Sequence, residues 1–191
     1  MKISHFSSHR DARPELLDKS WAALAILLDS THGRQDKEGP CWSPAYYAPG
    51  STRGKKNVEG VSLLVLDLDH LSAAQVGAVE TSLEGLAYMA HESFSSTPGD
   101  YCLRFVLRLS RDVLPGEWPQ FWPHAIATLG VPADPATSDA SRLYFLPARP
   151  PGCGYRLEVN KGETLDVDAI MAEAPEVAYT PSKVSVGAGE G

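Results

Sequence analysis

The segment Val61-Ser-Leu-Leu-Val-Leu-Asp67-Leu-Asp69-His70 is apolar until its last residues. Such a run is typical of a strand that is covered on both faces. Alternate residues of a strand share a face, so Asp67 and Asp69 point the same way. Two carboxylates at the end of a buried strand cost free energy unless a positive charge lies between them. Mg²⁺ and Mn²⁺ bind such carboxylates together with substrate phosphates. The segment therefore predicts a divalent-metal site, with an exposed acidic turn as the alternative.

Apolar periodicity and turn residues predict the elements on either side of this strand. The predicted strands are 3–6, 42–47, 86–93, 101–109 and 142–146. The predicted helices are 14–29, 72–83, 115–129 and 167–172, with Pro14 and Pro115 at N-termini, Ser72 as an N-cap and Gly130 at a C-terminus. This order favours an α/β (α+β) domain, in which helices pack on a mixed sheet.

The length of 191 residues suggests one domain. We expect it to span 1–178, with an N-terminal module at 1–60 and a core at 61–178 that contains the acidic strand. Residues 179–191 are small and polar, which predicts a flexible tail or a linker.

Composition narrows the class of protein. The chain starts without the apolar run of a signal peptide, and no apolar stretch approaches the ~18 residues of a membrane span, which predicts a cytoplasmic protein without a membrane partner. Cys41, Cys102 and Cys153 form no CxxC pair, so neither a disulfide framework nor a zinc site is expected. The net charge of -7 argues against a nucleic-acid coat, because phosphate affinity comes from clustered Lys and Arg.

Five basic residues are candidates for local contacts with anions. Arg53, Lys55 and Lys56 lie just ahead of the acidic strand and predict a nucleic-acid surface, with a solvated loop as the alternative. Arg104 and Arg108 share a face of the strand at 101–109. An arginine in so apolar a strand needs an anionic partner, which could be a structural carboxylate, a triphosphate or a template backbone.

Hydrogen-bond donors cluster at the end of the strand at 86–93. Alternation places His91, Ser93 and Ser95 on one face, as a row of donors suited to phosphate oxygens. A polar strand edge that runs into a turn explains the same residues without a ligand.

The loop DPATSDASR, from Asp134 to Arg142, supplies further acids and a cation. Asp134 or Asp139 is a candidate third metal ligand, and Arg142 is a candidate phosphate contact. Asx and Ser turns account for the same residues without a function.

Two reaction classes use an Asp-x-Asp pair of this kind. A haloacid-dehalogenase-like phosphatase also needs a downstream lysine, and because none occurs between Lys56 and Lys161, this class is kept as the alternative. Two-metal nucleotidyl transfer needs a third carboxylate and groups that hold a triphosphate, and the sequence offers each of them.

The ordered motifs resemble the archaeo-eukaryotic primase (AEP) superfamily, particularly the primase-polymerase domains of phage and plasmid replication proteins. The resemblance covers roughly 55–147 and rests on four motifs. They are the pattern hhhDhD (h, a hydrophobic residue) that ends at Asp67 and Asp69, the strand from His91 to Ser96, the strand LRFVLRLSRDV at 103–113, and the loop and strand DPATSDASRLYFLP at 134–147. It implies an RRM-like core beside an N-terminal α/β module. This sequence has His-x-Ser where the family has Ser-x-His, so Arg104 becomes a further candidate for the phosphate contact.

The resemblance also implies a function and its cofactors. It implies template-dependent nucleotidyl transfer with two Mg²⁺ or Mn²⁺ ions on Asp67, Asp69 and Asp134, and no zinc. The implied partners are nucleoside triphosphates, a single-stranded or primed DNA template, and a helicase domain or protein. The setting would be the cytoplasm of a bacterial or phage-infected cell. A non-catalytic module that binds nucleotides or nucleic acid remains an alternative.

Overall fold

The computed structural model of the chain describes residues 1–29 and 32–173. The predicted tail at 179–191 lies outside these residues. Along the chain the elements are β1 (Lys2–Phe6), β2 (Glu15–Asp18), α1 (Trp21–Asp29), β3 (His32–Gly33), β4 (Cys41–Ser43), β5 (Ala45–Tyr47), β6 (Val58–Leu71), α2 (Ala73–Ser82), β7 (Tyr88–Glu92), β8 (Tyr101–Val113), α3 (Trp118–Leu129), β9 (Tyr144–Phe145), β10 (Ala148–Arg149), β11 (Leu157–Asn160) and α4 (Val167–Glu173).

A five-stranded sheet with the order β11-β7-β8-β6-β5 forms the centre of the structure, and each neighbouring pair is antiparallel. Alternate residues of β6 enter two different cores. Leu64 and Leu66 pack in the cluster that includes residues of α2, α3 and α4, whereas Leu63 and Val65 pack with residues of α1 and β1. The apolar run is therefore covered on both faces, as the sequence predicts, and the carboxylates of β6 lie outside its buried middle.

A second, four-stranded sheet with the order β2-β1-β4-β9 covers one face of the central sheet. The two sheets do not follow the predicted boundary at residue 60. β5 lies before this boundary but joins the central sheet, and β9 lies after it but joins the second sheet. The division into a module and a core stays a prediction. Apart from the short β9 and β10, the core follows the β-α-β-β-α-β order of the ferredoxin-like motif. The expected α+β class is confirmed, with a central sheet that is antiparallel where a mixed one was expected.

Several predicted boundaries are confirmed by their caps. The Ser72 hydroxyl and the Gln75 side chain form a capping box at the start of α2. Gly130 ends α3 with a φ of 62°, a left-handed conformation that glycine adopts without strain. The three cysteines are free thiols, and no helix in the described part of the chain is long and apolar enough to cross a membrane.

Several predicted elements are wrong in extent; the strand expected at 42–47, for example, is two strands, β4 and β5, which join different sheets. The helix expected from Pro14 begins only at Trp21, because 15–18 pairs with β1 as a strand, a tertiary contact that local propensity does not reveal. The helix expected from Pro115 begins at Trp118, because 114–117 forms a turn in which Glu117 accepts from the Leu114 N–H. The strand expected at 142–146 is reduced to the two residues of β9.

Candidate metal and nucleotide site

A cleft of about 220 Å³ gathers most of the predicted site residues at the end of β6. They come from four separate parts of the chain: the end of β6, the turn after β7, the middle of β8 and the loop before β9. Those that line the cleft are Asp67, Asp69, Ser93, Ser95, Arg104, Asp134 and Arg142.

One row of residues crosses the floor of this site. Asp67 lies opposite Arg104, which lies opposite His91 on the next strand. The Arg104 Nε donates to Asp67 Oδ1 at 2.9 Å, and both side chains are only 13% exposed. Arg104 Nη1 donates to the Phe145 carbonyl oxygen at 3.0 Å, and its guanidinium lies 5.3 Å from the centre of the Tyr144 ring. Of the three partners considered for Arg104, the structure supplies the carboxylate.

The other two acids border the same space. Asp69 is exposed. Burial, and to a smaller extent the nearby Asp69 carboxylate, raises the pKa of the Cys102 thiol, against a lowering effect of the His70 backbone. Asp134 caps the turn at 135–138, where its Oδ1 accepts from the Ala136 N–H at 2.9 Å. Its Oδ2 lies 3.8 Å from Arg142 Nη2.

The three carboxylates suit a hard divalent ion by chemistry, since Mg²⁺ and Mn²⁺ prefer oxygen ligands. However, no three His, Cys, Asp or Glu side chains within 1–29 and 32–173 converge closely enough to hold a metal ion. Arginines stand beside two of the acids, Asp67 and Asp134, and neutralise the charge that an ion would otherwise neutralise. The donors therefore fit a metal ion by their chemistry, and Asp67, Asp69 and Asp134 would hold it only after moving closer together.

Asp139, the competing third ligand, does not line the cleft. Its Oδ1 accepts hydrogen bonds from the Ser141 N–H and hydroxyl, and its Oδ2 lies 3.7 Å from Lys55 Nζ. His70 also stays outside the cleft, where its exposed ring pairs with Asp100 at 3.1 Å. Among the acids of the 134–142 loop, Asp134 is the one that faces Asp67 and Asp69.

His91 is not brought to the cleft surface, contrary to the expected donor row. Its side chain is fully buried, and its Nδ1 donates to the Glu92 carbonyl oxygen at 3.0 Å. Burial, helped by the charge of Arg104, lowers the pKa of His91 to about 3, so the ring is neutral near pH 7. The alternation of β7 predicts the correct face for His91. This part of the face is covered, because β11 pairs with β7 at His91 and the centre of the Tyr155 ring lies 6.4 Å from that of the His91 ring.

The remaining basic candidates lie away from the cleft. Arg108 is exposed on the same strand face as Arg104, and Arg53, Lys55 and Lys56 are exposed just before β6. Lys55 also borders a second pocket, which is lined by Trp118 and Trp122 of α3. None of these four side chains is among the residues that line the cleft.

Sequence reasoning missed several residues of the site. Lys37 reaches the cleft from the loop before β4, and Phe94 reaches it between the two serines. Leu143 and residues 145–148 form another wall. A loop lysine without periodicity carries no sequence signal, whereas Phe94 could have been found as the neighbour of Ser93 and Ser95.

Comparisons with known proteins agree with this architecture. The sequence profile of the family described as "VapE N-terminal domain" matches residues 47–180. No curated protein sequence matches the chain. Among solved structures, the AEP domain (PP-N190) of the primase-polymerase of cyanophage S-2L superposes with a TM-score of 0.53 and 15% identity, over 91% of this chain and 88% of that chain. At this identity the likeness is one of fold, and it confirms the resemblance to AEP domains at that level.

Proposed function

The chain belongs to the VapE N-terminal domain family, and from this membership and its AEP-like fold we propose that it catalyses template-dependent nucleotidyl transfer in DNA replication. The proposed setting is the replication of a phage, plasmid or mobile element in the bacterial cytoplasm. A helicase domain or protein is the proposed partner that brings the template.

One observation carries the proposal: three carboxylates from two distant segments border a cleft that also contains hydroxyls and arginines. Asp67 and Asp69 come from β6, and Asp134 comes from a loop some 65 residues later. Nucleotidyl transfer requires such a combination, because the metal ligands must lie next to groups that hold a triphosphate.

Asp67, Asp69 and Asp134 are the proposed ligands of two Mg²⁺ or Mn²⁺ ions. Bound ions of this kind neutralise charge on the reacting phosphates and make a hydroxyl a better nucleophile. The three carboxylates supply the hard oxygen donors that such ions prefer.

The cations of the cleft are the proposed triphosphate contacts. Arg104 and Arg142 each stand beside a carboxylate, and a guanidinium binds phosphate oxygens with the same fork of donors. Ser93 and Ser95 line the cleft from the turn after β7 and add hydroxyl donors. The fully buried His91 takes no direct part and instead fills the space behind Arg104.

The template surface is proposed at Arg53, Lys55 and Lys56, which are exposed next to the start of β6. Exposed Arg108 is a further candidate on the neighbouring strand. Because the chain as a whole carries a charge of -7, binding should depend on these few cations and weaken steeply with salt.

The phosphatase alternative gains no support from the geometry. It needs a lysine that follows Asp67 in the chain, whereas the lysine at the cleft, Lys37, precedes it. A non-catalytic binding module has the same fold and the same carboxylates, so an activity assay separates it from an enzyme.

The deciding experiment is primer synthesis and extension on single-stranded and primed DNA, with labelled NTPs or dNTPs and Mg²⁺ or Mn²⁺. Products should form with wild-type protein and disappear in Asp67→Asn/Asp69→Asn. Asp100→Asn is the matched control, because Asp100 is an exposed acid beside the same strand end and outside the cleft.

The control variant should retain wild-type yield. Phosphate release from a phosphomonoester without any template-dependent product would instead favour the phosphatase. Inactivity in both assays would favour a binding module.

A further inference from the structure

Arg149 is buried behind the turn that lines the cleft between Ser93 and Ser96. It is 7% exposed, and its Nη1 donates to the carbonyl oxygens of Ser93 and Ser96, both at 2.8 Å, with the Phe94 carbonyl oxygen at 3.4 Å. Its Nε donates to the Gly154 carbonyl oxygen at 3.0 Å. One guanidinium therefore holds the whole turn by its backbone.

This buried cation lacks a direct carboxylate partner. None of the ion pairs within 1–29 and 32–173 includes Arg149. Glu92, which borders a side pocket with Arg149, accepts instead from the Ser96 hydroxyl and the Arg156 N–H. Buried arginines usually pair with an anion. Arg149 donates only to carbonyl oxygens instead, so its positive charge behind the turn has no direct counter-ion.

The turn presents its amides on the opposite side from Arg149. The Ser96 N–H donates to the Ser93 carbonyl oxygen at 3.2 Å, so Phe94 and Ser95 are the central residues. The C=O and the N–H of one trans peptide point in opposite directions, and no peptide of the described chain is cis. Because the Ser93 and Phe94 carbonyls face Arg149, the N–H groups of Phe94 and Ser95 point away from it.

These two N–H groups have no hydrogen-bond partner among the parts of the chain that the structure describes. Ser93, Phe94 and Ser95 all line the cleft. Successive free N–H groups in a turn make a concave site for an anion, and the buried charge of Arg149 raises its affinity.

We propose that Arg149 is a positioning residue, which holds the 93–96 turn so that the N–H groups of Phe94 and Ser95 bind a phosphate of the nucleoside triphosphate. The Ser93 and Ser95 hydroxyls complete the phosphate site. This inference rests on the proposed nucleotide-binding role of the cleft and adds a backbone contact and a second-layer cation to it.

A pair of substitutions at Phe94 tests the backbone contact. Phe94→Pro and Phe94→Ala both remove the ring, but only the proline also removes the N–H. Proline is favoured at the second position of common turns, and Ser93 still makes a strand-like bond from its N–H to the Cys102 carbonyl oxygen, which suits a residue before proline. Titration calorimetry with a dNTP and with inorganic tripolyphosphate should show binding about tenfold weaker in Phe94→Pro than in Phe94→Ala.

Arg149→Met and Arg149→Lys test the positioning role in the primer-extension assay. We expect Arg149→Met to raise KM for the dNTP about tenfold and to change kcat by less than about threefold, since the reacting groups stay in place. Arg149→Lys should recover part of the loss, because it keeps the charge with fewer donors. Circular dichroism identifies any variant that fails to fold, and the Phe94 pair tests the proposal independently of Arg149.

Each other outcome counts against the proposal. Equal binding by the two Phe94 variants would overturn the amide contact while leaving the proposed function intact. A fall in kcat at unchanged KM in Arg149→Met would overturn the positioning role. If wild-type protein binds neither dNTP nor tripolyphosphate, the proposed function fails together with this inference.

Discussion

Arg104 Nε lies 2.9 Å from Asp67 Oδ1, so one guanidinium of the cleft is bound to one of its proposed metal ligands. The pair joins the middle of β8 to the end of β6 at a point where both side chains are 13% exposed. At the proposed metal site, a divalent ion would compete with Arg104 for the same carboxylate. Binding of an ion should therefore release Arg104 for the phosphates that accompany it.

Loss of Arg104 alone should destabilise the fold. Arg104→Met leaves Asp67 unpaired at the end of an apolar strand, which we expect to lower the free energy of unfolding by about 2–3 kcal/mol, somewhat less than for a fully buried pair. Urea denaturation measures this. Arg108→Met is the matched control, because Arg108 is exposed on the same face of β8 and its side chain has no described partner; its effect should stay within about 0.5 kcal/mol.

The double variant Arg104→Met/Asp67→Asn should recover part of this loss, because the unpaired charge is gone. Equal destabilisation by Arg104→Met and Arg108→Met would contradict the importance of the pair.

Divalent ions should stabilise the folded protein without any nucleotide. A ligand that binds only the native state at 100 times its Kd adds about 2.7 kcal/mol to the free energy of unfolding, so Mn²⁺ should raise the Tm by several degrees. Differential scanning calorimetry with and without EDTA measures the shift. It should vanish in Asp67→Asn/Asp69→Asn and persist in Asp139→Asn; a shift that survives in the first variant would place the ion elsewhere.

The sequence was most informative where a single strand decides the geometry. The apolar run of β6 predicts both its double burial and the shared face of Asp67 and Asp69, and the alternation of β8 predicts that Arg104 and Arg108 share a face. These features depend only on the pleat of one strand.

Features that need a distant segment could not be predicted. His91 has the expected face but is covered by Tyr155 and β11, more than 60 residues later in the chain. Arg149 binds carbonyl oxygens, which every residue possesses, so its partners leave no pattern in the sequence. Likewise, 15–18 becomes a strand only because β1 offers an edge to pair with.

The buried His91 should make stability depend on pH. Its pKa is about 3 in the folded protein and near 6.5 when unfolded, so between these values the unfolded chain binds more protons. Stability should therefore fall as pH drops below about 6.5, by up to about 1.4 kcal/mol per pH unit from this group. His91→Leu should lose that part of the pH dependence in urea denaturation at pH 7 and pH 5, whatever its absolute stability; identical slopes would show that His91 becomes protonated in the folded state.

The connection after β11, which leads to α4, should not tolerate a side chain at Gly162. A Cβ there would lie 2.3 Å from the Gly85 carbonyl oxygen, a backbone atom that cannot easily move away. We expect Gly162→Ala to lower the free energy of unfolding by about 1–3 kcal/mol. Gly154→Ala is the control, since a Cβ at that position meets nothing within 4 Å. Similar melting temperatures for the two variants would mean that the 85–86 backbone adjusts.

Asp134 and Asp139 give the sharpest test of the third metal ligand. Both accept hydrogen bonds from their own loop, Asp134 from the Ala136 N–H and Asp139 from Ser141, and asparagine keeps an acceptor for these bonds in each case. Only Asp134 borders the cleft with Asp67 and Asp69. Asp134→Asn should therefore lower kcat for nucleotide incorporation by about 10³-fold, the effect of losing roughly 4 kcal/mol of transition-state stabilisation.

Asp139→Asn should stay within about threefold of wild type in the same single-nucleotide incorporation assay, because it loses only a 3.7 Å contact with exposed Lys55. The opposite ranking of the two variants would make Asp139 the ligand and would require the 134–142 loop to rearrange when a metal ion binds.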